Sequence, residues 1–156
     1  MPKLKKLASL VLTFFPHPRM VLQKDSEIKL IHTIEERANL LAQIGIENLI
    51  IQPFSKEFSR LSATEFVRDI LVNQLNVKHI IVGYDHRFGR NRTANIENLK
   101  EFGLIYDFTV EEITAQDIDA VSVSSTKIRN ALAAGNITIA NTYLGNDFQL
   151  NGIITR

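Results

Sequence analysis

Continuous apolar runs alternate with amphipathic stretches along this chain. Most of the runs are rich in Val, Ile, Leu and Phe and do not place a polar residue at every second position. This pattern is typical of parallel strands that are buried on both faces. It predicts four strands, over Leu10–Phe15, Asn48–Phe54, Lys78–Gly83 and Asp107–Ile113.

The stretches between these runs carry helix signals. Thr33 and Ser62 are each followed three residues later by a glutamate, Glu36 and Glu65, which is the spacing of a capping box. Gly45 stands where the first of these helices would end. Further helices are predicted over Asn95–Phe102 ended by Gly103, over Ser124–Ala134 ended by Gly135 and over Ile137–Leu144, and Phe148–Ile154 is predicted to be extended.

Repeated alternation of strand and helix predicts an α/β fold. Parallel strands joined by right-handed crossovers form a sheet with helices on both faces. In open sheets of this kind, ligands bind beyond the carboxyl ends of the strands. We therefore expect the chemistry of this protein in the residues that follow each predicted strand.

The composition narrows the class of protein. With 156 residues, 45% hydrophobic and 22% charged, the chain has the size and balance of one globular domain over residues 1–156, which excludes disorder or a coiled coil. The lack of cysteine excludes disulfides and thiolate zinc sites, and it fits the cytoplasm. A net charge of +1 gives no case for a nucleic-acid partner, and no apolar run approaches the ~18 residues that span a membrane.

Three hydroxyl residues, Ser124, Ser125 and Thr126, open the helix predicted over Ser124–Ala134. N-capping explains one or two of them. The alternative is an anion site, because free amides, the helix dipole and hydroxyl donors converge at a helix start. Arg129 lies three residues beyond Thr126, on the same helix face, so its guanidinium could make a two-pronged contact with a phosphate there. The spacing leaves both interpretations open.

The segment Gly83–Arg90 follows the third predicted strand. It combines two glycines, an acid, a histidine, two arginines and two aromatic residues. A solvated loop is one interpretation and a ligand-binding loop is the other. In a ligand-binding loop, Gly83 would allow close approach of the backbone, Asp85 would accept hydrogen bonds, Arg87 would contact phosphate and Phe88 would offer a stacking face.

A third segment, Pro16-His17-Pro18, follows the first predicted strand. The prolines hold an imidazole on a rigid backbone, although a structural turn is the commoner meaning of such a segment. No G-x-x-x-x-G-K-[ST] loop, no G-x-G-x-x-G loop and no pair of histidines at metal-ligand spacing occurs. We therefore predict no metal site built by the protein alone.

Taken together, the three segments resemble one family. Thr13-Phe-Phe-Pro-His-Pro18 is similar to a T-F-x-P-H-P stretch, Gly83-Tyr-Asp-His-Arg-Phe-Gly89 to a G-x-D-F-R-F-G loop, and Val123-Ser-Ser-Thr-Lys-Ile-Arg129 to an I-S-S-T-x-I-R signature. These motifs occur, in this order, in the FAD synthetase module of bacterial bifunctional riboflavin kinase/FAD synthetases. The resemblance extends from Leu10 to the end of the chain.

The resemblance implies a fold, an activity and a set of site residues. The family has a Rossmann-like nucleotidylyltransferase fold and transfers AMP from ATP to FMN, giving FAD and pyrophosphate, with Mg²⁺. By position, the catalytic residues would be Arg129, Ser125 and Thr126. ATP would be held by Gly83, Asp85, Arg87, Ser124, Ser125, Thr126 and Arg129, and the flavin by Pro16, His17, Pro18 and Phe88.

One motif of that family is absent from this chain. The family begins with a strand and a G-x-F-D-G-V-H-x-G-H loop, and no H-x-G-H occurs here. The resemblance therefore implies a sheet without its first strand, in a fragment of a longer chain whose riboflavin kinase domain would follow residue 156. We expect the chain by itself to make FAD poorly.

Two other functions stay open. One is a nucleotidylyltransferase that acts on nicotinate mononucleotide or phosphopantetheine, against which the Pro-His-Pro segment and the Asp85–Gly89 loop argue. The other is a non-catalytic nucleotide-binding module, which the absence of H-x-G-H favours.

Overall fold

The computed structural model describes residues 7–23, 28–114, 117–118, 121–150 and 152–153. It divides the chain into two compact units. The first unit contains the described residues up to 28 together with 32–114, and the second contains 29–31 and the described residues from 117 onward. The assignment of one functional domain to residues 1–156 stays a prediction.

The first unit contains two pairs of parallel strands. Strand β1 (Leu10–Phe15) pairs with β2 (Asn48–Pro53), with Leu10 opposite Asn48. Strand β3 (His79–Gly83) pairs with β4 (Thr109–Ile113), with His79 opposite Thr109. All four predicted strands are confirmed, and so is their parallel direction.

The helices of the first unit are α1 (Pro18–Leu22), α2 (Ile34–Gln43), α3 (Ala63–Glu65), which runs into a π-helical stretch (Phe66–Gln74), and α4 (Ile96–Tyr106), with 3₁₀ turns at Phe58–Arg60 and Arg90–Arg92. Helices α2, α3 and α4 begin at the predicted caps, whereas α1 was not predicted. The capping boxes of Thr33 with Glu36 and of Ser62 with Glu65 both form, so the local signals for these helix starts are confirmed.

The strands differ from the single sheet that the alternation predicts. Among the described residues, β1 pairs only with β2 and β3 pairs only with β4. Ile81, in the middle of the apolar strand β3, is 55% exposed. An apolar run indicates that a strand can be buried, but it carries no information on which strand lies beside it.

The core of the first unit lies between the π-helical stretch, α4 and the strands. Its buried members are Val67, Leu71, Phe88, Ala94, Leu99 and Phe108. Leu12 of β1 and both Ile80 and Val82 of β3 pack against this cluster, so both strand pairs share it.

Helix α4 is longer than predicted. Gly103 does not end it, because the helix continues to Tyr106 and closes at Asp107, which has a left-handed backbone with φ 58°. Gly103 is buried instead, and a Cβ there would lie 2.5 Å from the carbonyl oxygen of Phe108. Gly103 is needed because helix α4 lies close to the backbone of Phe108. From the sequence pattern, a glycine at such a close approach looks the same as a glycine that ends a helix.

The second unit is smaller. It contains an antiparallel pair, β5 (Asp117–Ile118) and β6 (Val121–Ser122), followed by α5 (Ser125–Ala133) and α6 (Ile137–Leu144). Ile128, Ala131 and Ala140 are buried where the two helices pack. The described residues of the range 148–154, which was predicted to be extended, belong to no helix and to no strand, and the Phe148 amide donates to Asn141 Oδ1 at 2.9 Å.

We expect Gly103→Ala to lower the free energy of unfolding by about 1–3 kcal/mol, because the added methyl overlaps the Phe108 carbonyl. Urea denaturation measures the change. Gly152→Ala is the matched control, since nothing lies within 4 Å of a Cβ at that position. Equal stability of the two variants would contradict the close approach.

Candidate functional site

The Pro-His-Pro segment forms a turn from β1 into α1. His17 caps α1, because its Nδ1 accepts a hydrogen bond from the Arg19 amide at 3.2 Å, and Pro18 occupies the first helical position. The Phe15–Pro16 peptide is cis, and His17 is half-buried. The segment therefore forms the structural turn that was one of its two interpretations. The contact of Pro16, His17 and Pro18 with a flavin stays a prediction.

The loop after β3 begins with a tight turn. The His86 amide donates to the Gly83 carbonyl at 3.0 Å, and the turn exposes Tyr84 and Asp85. A Cβ on Gly83 would meet only Asp85 Oδ1, at an ordinary 3.5 Å, so the protein itself does not require glycine there. Arg87 is also exposed. This leaves close approach of a ligand as the predicted reason for Gly83.

Phe88 lies in the core and not at the surface. It is 7% exposed and packs edge-on or tilted against Phe66 and Phe102, with ring centroids 6.0 and 6.5 Å away. The expected open stacking face of Phe88 is not on the surface of this structure. The half-buried ring of His86 stacks on Phe88 at 5.8 Å, so His86 and the exposed Tyr84 are the aromatic rings of the segment that solvent reaches.

The imidazole of His86 is uncharged at neutral pH, because its pKa is lowered. Burial lowers its pKa below the ordinary value, and repulsion from Arg92 lowers it further, while Asp85 partly opposes both effects. At neutral pH the ring is therefore an uncharged aromatic surface with hydrogen-bonding nitrogens. The sequence assigned no role to His86, although the residue stands where the G-x-D-F-R-F-G loop more often has a phenylalanine.

The start of α5 carries the three hydroxyl residues. Ser124 caps the helix, with its Oγ accepting from the Lys127 amide at 3.3 Å, which is the structural role expected of one of them. Ser125 and Thr126 are exposed in the first turn, and the structure gives their hydroxyls no partner among the described residues. Capping therefore accounts for one hydroxyl and leaves two available to an anion.

Arg129 has a contact that the sequence did not predict. Its Nε donates to the carbonyl oxygen of Lys29 at 2.7 Å, 100 residues away along the chain. The contact ties residues 29–31 to α5 within the second unit. It occupies one of the five guanidinium donors, so the others stay available for a phosphate. A contact between residues so distant in sequence leaves no local signal.

The fold and these segments together define a class of protein. Parallel strands joined through helices, a turn and loop at the carboxyl end of β3, and a helix opened by Ser-Ser-Thr with an arginine one turn later are those of a nucleotidylyltransferase with a Rossmann-like α/β fold. The family model described as FAD synthetase matches residues 1–127, and the chain belongs to that family.

Similar proteins carry a consistent name. Bifunctional riboflavin kinase/FMN adenylyltransferases of Buchnera aphidicola (from Acyrthosiphon pisum), Escherichia coli K12 and Bacillus subtilis are 35%, 31% and 34% identical to this chain over 94%, 95% and 96% of its length. The chain spans about half the length of these relatives, 47% in each case. The predicted family is confirmed.

A solved structure shares the fold. The crystal structure named macrolide-efflux protein, from Streptococcus pneumoniae, matches with a TM-score of 0.77 and 30% identity, over 91% of this chain and 54% of the other. In the part of the chain that the structure describes, no helix has the length and apolar character needed to cross a membrane.

We expect Gly83→Ala to leave the stability of the protein within about 0.5 kcal/mol of the original, because the Cβ has room. The same change is expected to weaken ATP binding about tenfold, since the methyl would hold the nucleotide away from the backbone. Calorimetric titration with ATP and Mg²⁺ and a melting curve measure the two effects. Unchanged ATP affinity would remove Gly83 from the site.

A second prediction concerns Arg129. In a parent chain that carries the H-x-G-H loop, we expect Arg129→Ala to lower the rate of FMN adenylylation about 10²-fold, by analogy with loss of one donor to a developing charge. Arg129→Lys should restore only part of this rate, because an ammonium does not reproduce the planar fork. Loss of the bond to the Lys29 carbonyl should also lower the free energy of unfolding by about 1 kcal/mol.

The control for this prediction is Lys127→Ala, which removes a positive charge from the same helix. Steady-state rates of the three variants, with melting temperatures to monitor folding, separate the two roles of Arg129. A destabilised Arg129→Ala protein with the original rate would assign Arg129 to structure alone.

Proposed function

We propose that this chain provides an FMN adenylyltransferase, which transfers AMP from ATP to FMN to give FAD and pyrophosphate. The observation that carries the proposal is the start of α5, where two available hydroxyls and the guanidinium of Arg129 occupy one helix in a chain of the FAD synthetase family. The names of the relatives support the same reaction.

Each unit has its own proposed role. In the second unit, Ser124, Ser125, Thr126 and Arg129 bind phosphates of ATP, with the free amides and dipole of α5 adding to the attraction. In the first unit, Gly83, Asp85 and Arg87 bind the nucleotide. Pro16, His17 and Pro18 lie beside the flavin, and Phe88 supports the His86 ring, which makes the aromatic contact in its place.

The proposed chemistry is a direct displacement. An oxygen of the FMN phosphate attacks the α-phosphorus of ATP, a new P–O bond forms, and the bond from the α-phosphorus to the bridging oxygen breaks as pyrophosphate leaves. No proton transfer or covalent enzyme intermediate is required. The residues contribute by positioning the two phosphates and by stabilising the charge that develops on the leaving group, with Ser125, Thr126 and Arg129 as the catalytic residues.

Mg²⁺ is proposed to accompany ATP. This ion is usually bound by one or two carboxylates together with substrate phosphates, and it neutralises phosphate charge. Among the described residues, no group of three or more potential ligands is clustered, so a cage built by the protein is not the arrangement to expect there. Asp85, exposed beside Gly83, is the carboxylate of the loop that would fit such a shared site.

The names of the relatives indicate which reaction supplies the FMN. Their names join FMN adenylyltransferase to riboflavin kinase, and we propose that a riboflavin kinase domain in the parent chain produces the FMN that this chain consumes. The absence of cysteine fits action in the cytoplasm, and the net charge of +1 fits small-molecule substrates without a nucleic-acid or membrane partner.

A second candidate is a module that binds nucleotide without turnover. The observation in its favour is that no H-x-G-H occurs in the sequence, so the two histidines that would complete the contact with the transferring phosphate are absent from it. Removal of a single such donor lowers rates about 10²–10³-fold.

The deciding experiment incubates the chain with FMN, ATP and Mg²⁺ and separates the flavins by chromatography. We expect FMN and ATP to bind and FAD to form slowly, because part of the phosphate contact is absent. Nicotinate mononucleotide and phosphopantetheine, offered as acceptors under the same conditions, are expected to give no product.

Each outcome separates the alternatives. Binding with no FAD at any enzyme concentration would favour the non-catalytic module. FAD formation over many turnovers would support the activity and contradict the expected slowness. A nicotinate or pantetheine product, or failure to bind flavin, would overturn the proposed acceptor.

A further inference from the structure

Two arginine-bearing 3₁₀ turns of the first unit lie against each other. The turn Phe58–Arg60 follows the carboxyl end of β2, and the turn Arg90–Arg92 follows the carboxyl end of β3. Their Cα atoms come within 8 Å of one another. We call this pair the arginine double turn. Each turn thus follows the carboxyl end of a strand from a parallel pair, which is the end at which open α/β sheets bind ligands.

The double turn is strongly basic. The segments 55–60 and 84–92 contain five cationic residues, Lys56, Arg60, Arg87, Arg90 and Arg92, and two acidic ones, Glu57 and Asp85. All four arginines are exposed, and none forms an ion pair with a described residue within 4.0 Å. The carboxylate of Glu65 on α3 is used in the capping box with Ser62, where it accepts a hydrogen bond from the Ser62 amide. The patch therefore carries more positive than negative charge. Glu57 partly offsets Arg60 and Lys56: hydrogen bonds to the backbone and to Ser55 lower its pKa, and these two charges lower it further.

The backbone that carries these side chains is fixed. Phe88 and Ala94 exchange two hydrogen bonds of 3.0 and 3.2 Å at the base of the loop, and both residues are buried in the core. A Cβ on Gly89 would lie 2.8 Å from the amide nitrogen of Ala63, so the loop is pressed against the start of α3. Asn91 and Arg92 both have left-handed backbones, with φ 57° and 56°.

This arrangement reduces the entropy lost on binding. A loop that is anchored at its base and held against a helix has an ordered backbone, so only the arginine side chains lose freedom on binding, whereas on a free loop the backbone would have to be ordered as well. Beyond the effect of burial, repulsion from Arg92 also lowers the pKa of His86, so the two side chains are close enough to interact electrostatically. Guanidinium groups bind phosphate oxygens in pairs, which suits a group with several such oxygens.

We propose that the arginine double turn binds the pyrophosphate portion of ATP, its β- and γ-phosphates, through Arg60, Arg90 and Arg92. The inference rests on the proposed function and extends it to residues outside the three motifs. The pyrophosphate portion is the most highly charged part of either substrate, and the same contact stabilises the charge that it gains on leaving. The phosphate of FMN would be bound by the same guanidinium contacts but has fewer oxygens. The test distinguishes the phosphate of FMN from the pyrophosphate portion of ATP.

The test uses calorimetric titration of the whole chain with four probes: inorganic pyrophosphate, ATP, FMN and riboflavin. Three variants, Arg60→Gln, Arg90→Gln and Arg92→Gln, each remove one charge from the double turn. Arg68→Gln is the matched control, because Arg68 is an exposed arginine of the same unit that is paired with Asp69 instead. We expect each of the three variants to weaken pyrophosphate and ATP binding about tenfold, and the control to change it less than twofold.

The variants are on the surface, so we expect their melting temperatures to stay unchanged. A substitution by Lys at the same position should restore part of the affinity.

Equal losses for the control and the three variants would overturn the proposal in favour of a general charge effect. Loss of FMN binding relative to riboflavin, with pyrophosphate binding unchanged, would overturn it in favour of the flavin phosphate. If pyrophosphate binding depends on the arginines but FAD is never formed, the inference stands and the proposed reaction fails.

Discussion

A continuous series of aromatic contacts holds the first unit together. It runs from Phe14 of β1 through Phe54, Phe58, Phe66 and Phe88 to Phe102 and Tyr106 of α4, with centroids of neighbouring rings 5.5 to 6.5 Å apart. These are the distances at which edge-on and tilted pairs are favourable. Phe88 is the member on which the ligand loop depends, because its burial fixes the base of that loop and gives His86 a surface to stack on.

The same contacts position the charged groups. The half-buried Phe58 belongs to the first turn of the arginine double turn, and the buried Phe88 precedes the second, so an aromatic contact stabilises each turn while its arginines face solvent. In the second unit the anchor is different: Ile128 and Ala131 bury one face of α5 against α6, and Ser124 caps its start. In each unit apolar packing fixes the backbone, and the exposed polar groups are those proposed to contribute to binding.

The family was within reach of the sequence because its motifs are local. Capping boxes, the Ser-Ser-Thr helix start and the Pro-His-Pro turn are recognised from residues a few positions apart, and the structure forms the caps as predicted. The predicted roles that remain untested are those that require a ligand, such as the contacts of Asp85 and Arg87. Phe88 shows what a local motif leaves undecided. An aromatic residue in a polar segment predicts a contact, but the partner can be a ligand or the core, and here it is the core.

The sequence by itself determined the order of the four parallel strands and of the helices from α2 onward, and the motifs after β1, after β3 and at the start of α5, because hydrophobic period and capping act over less than two helical turns. It predicted neither α1 nor the antiparallel pair of β5 and β6. Only the tertiary structure decided which strands pair, why Gly103 lies inside α4, and that the Arg129 side chain bonds to the Lys29 carbonyl. It also decided that Arg60 and Arg92 belong to one surface. These are contacts between residues distant along the chain, and they depend on how surfaces pack, for which no spacing within a segment provides a signal.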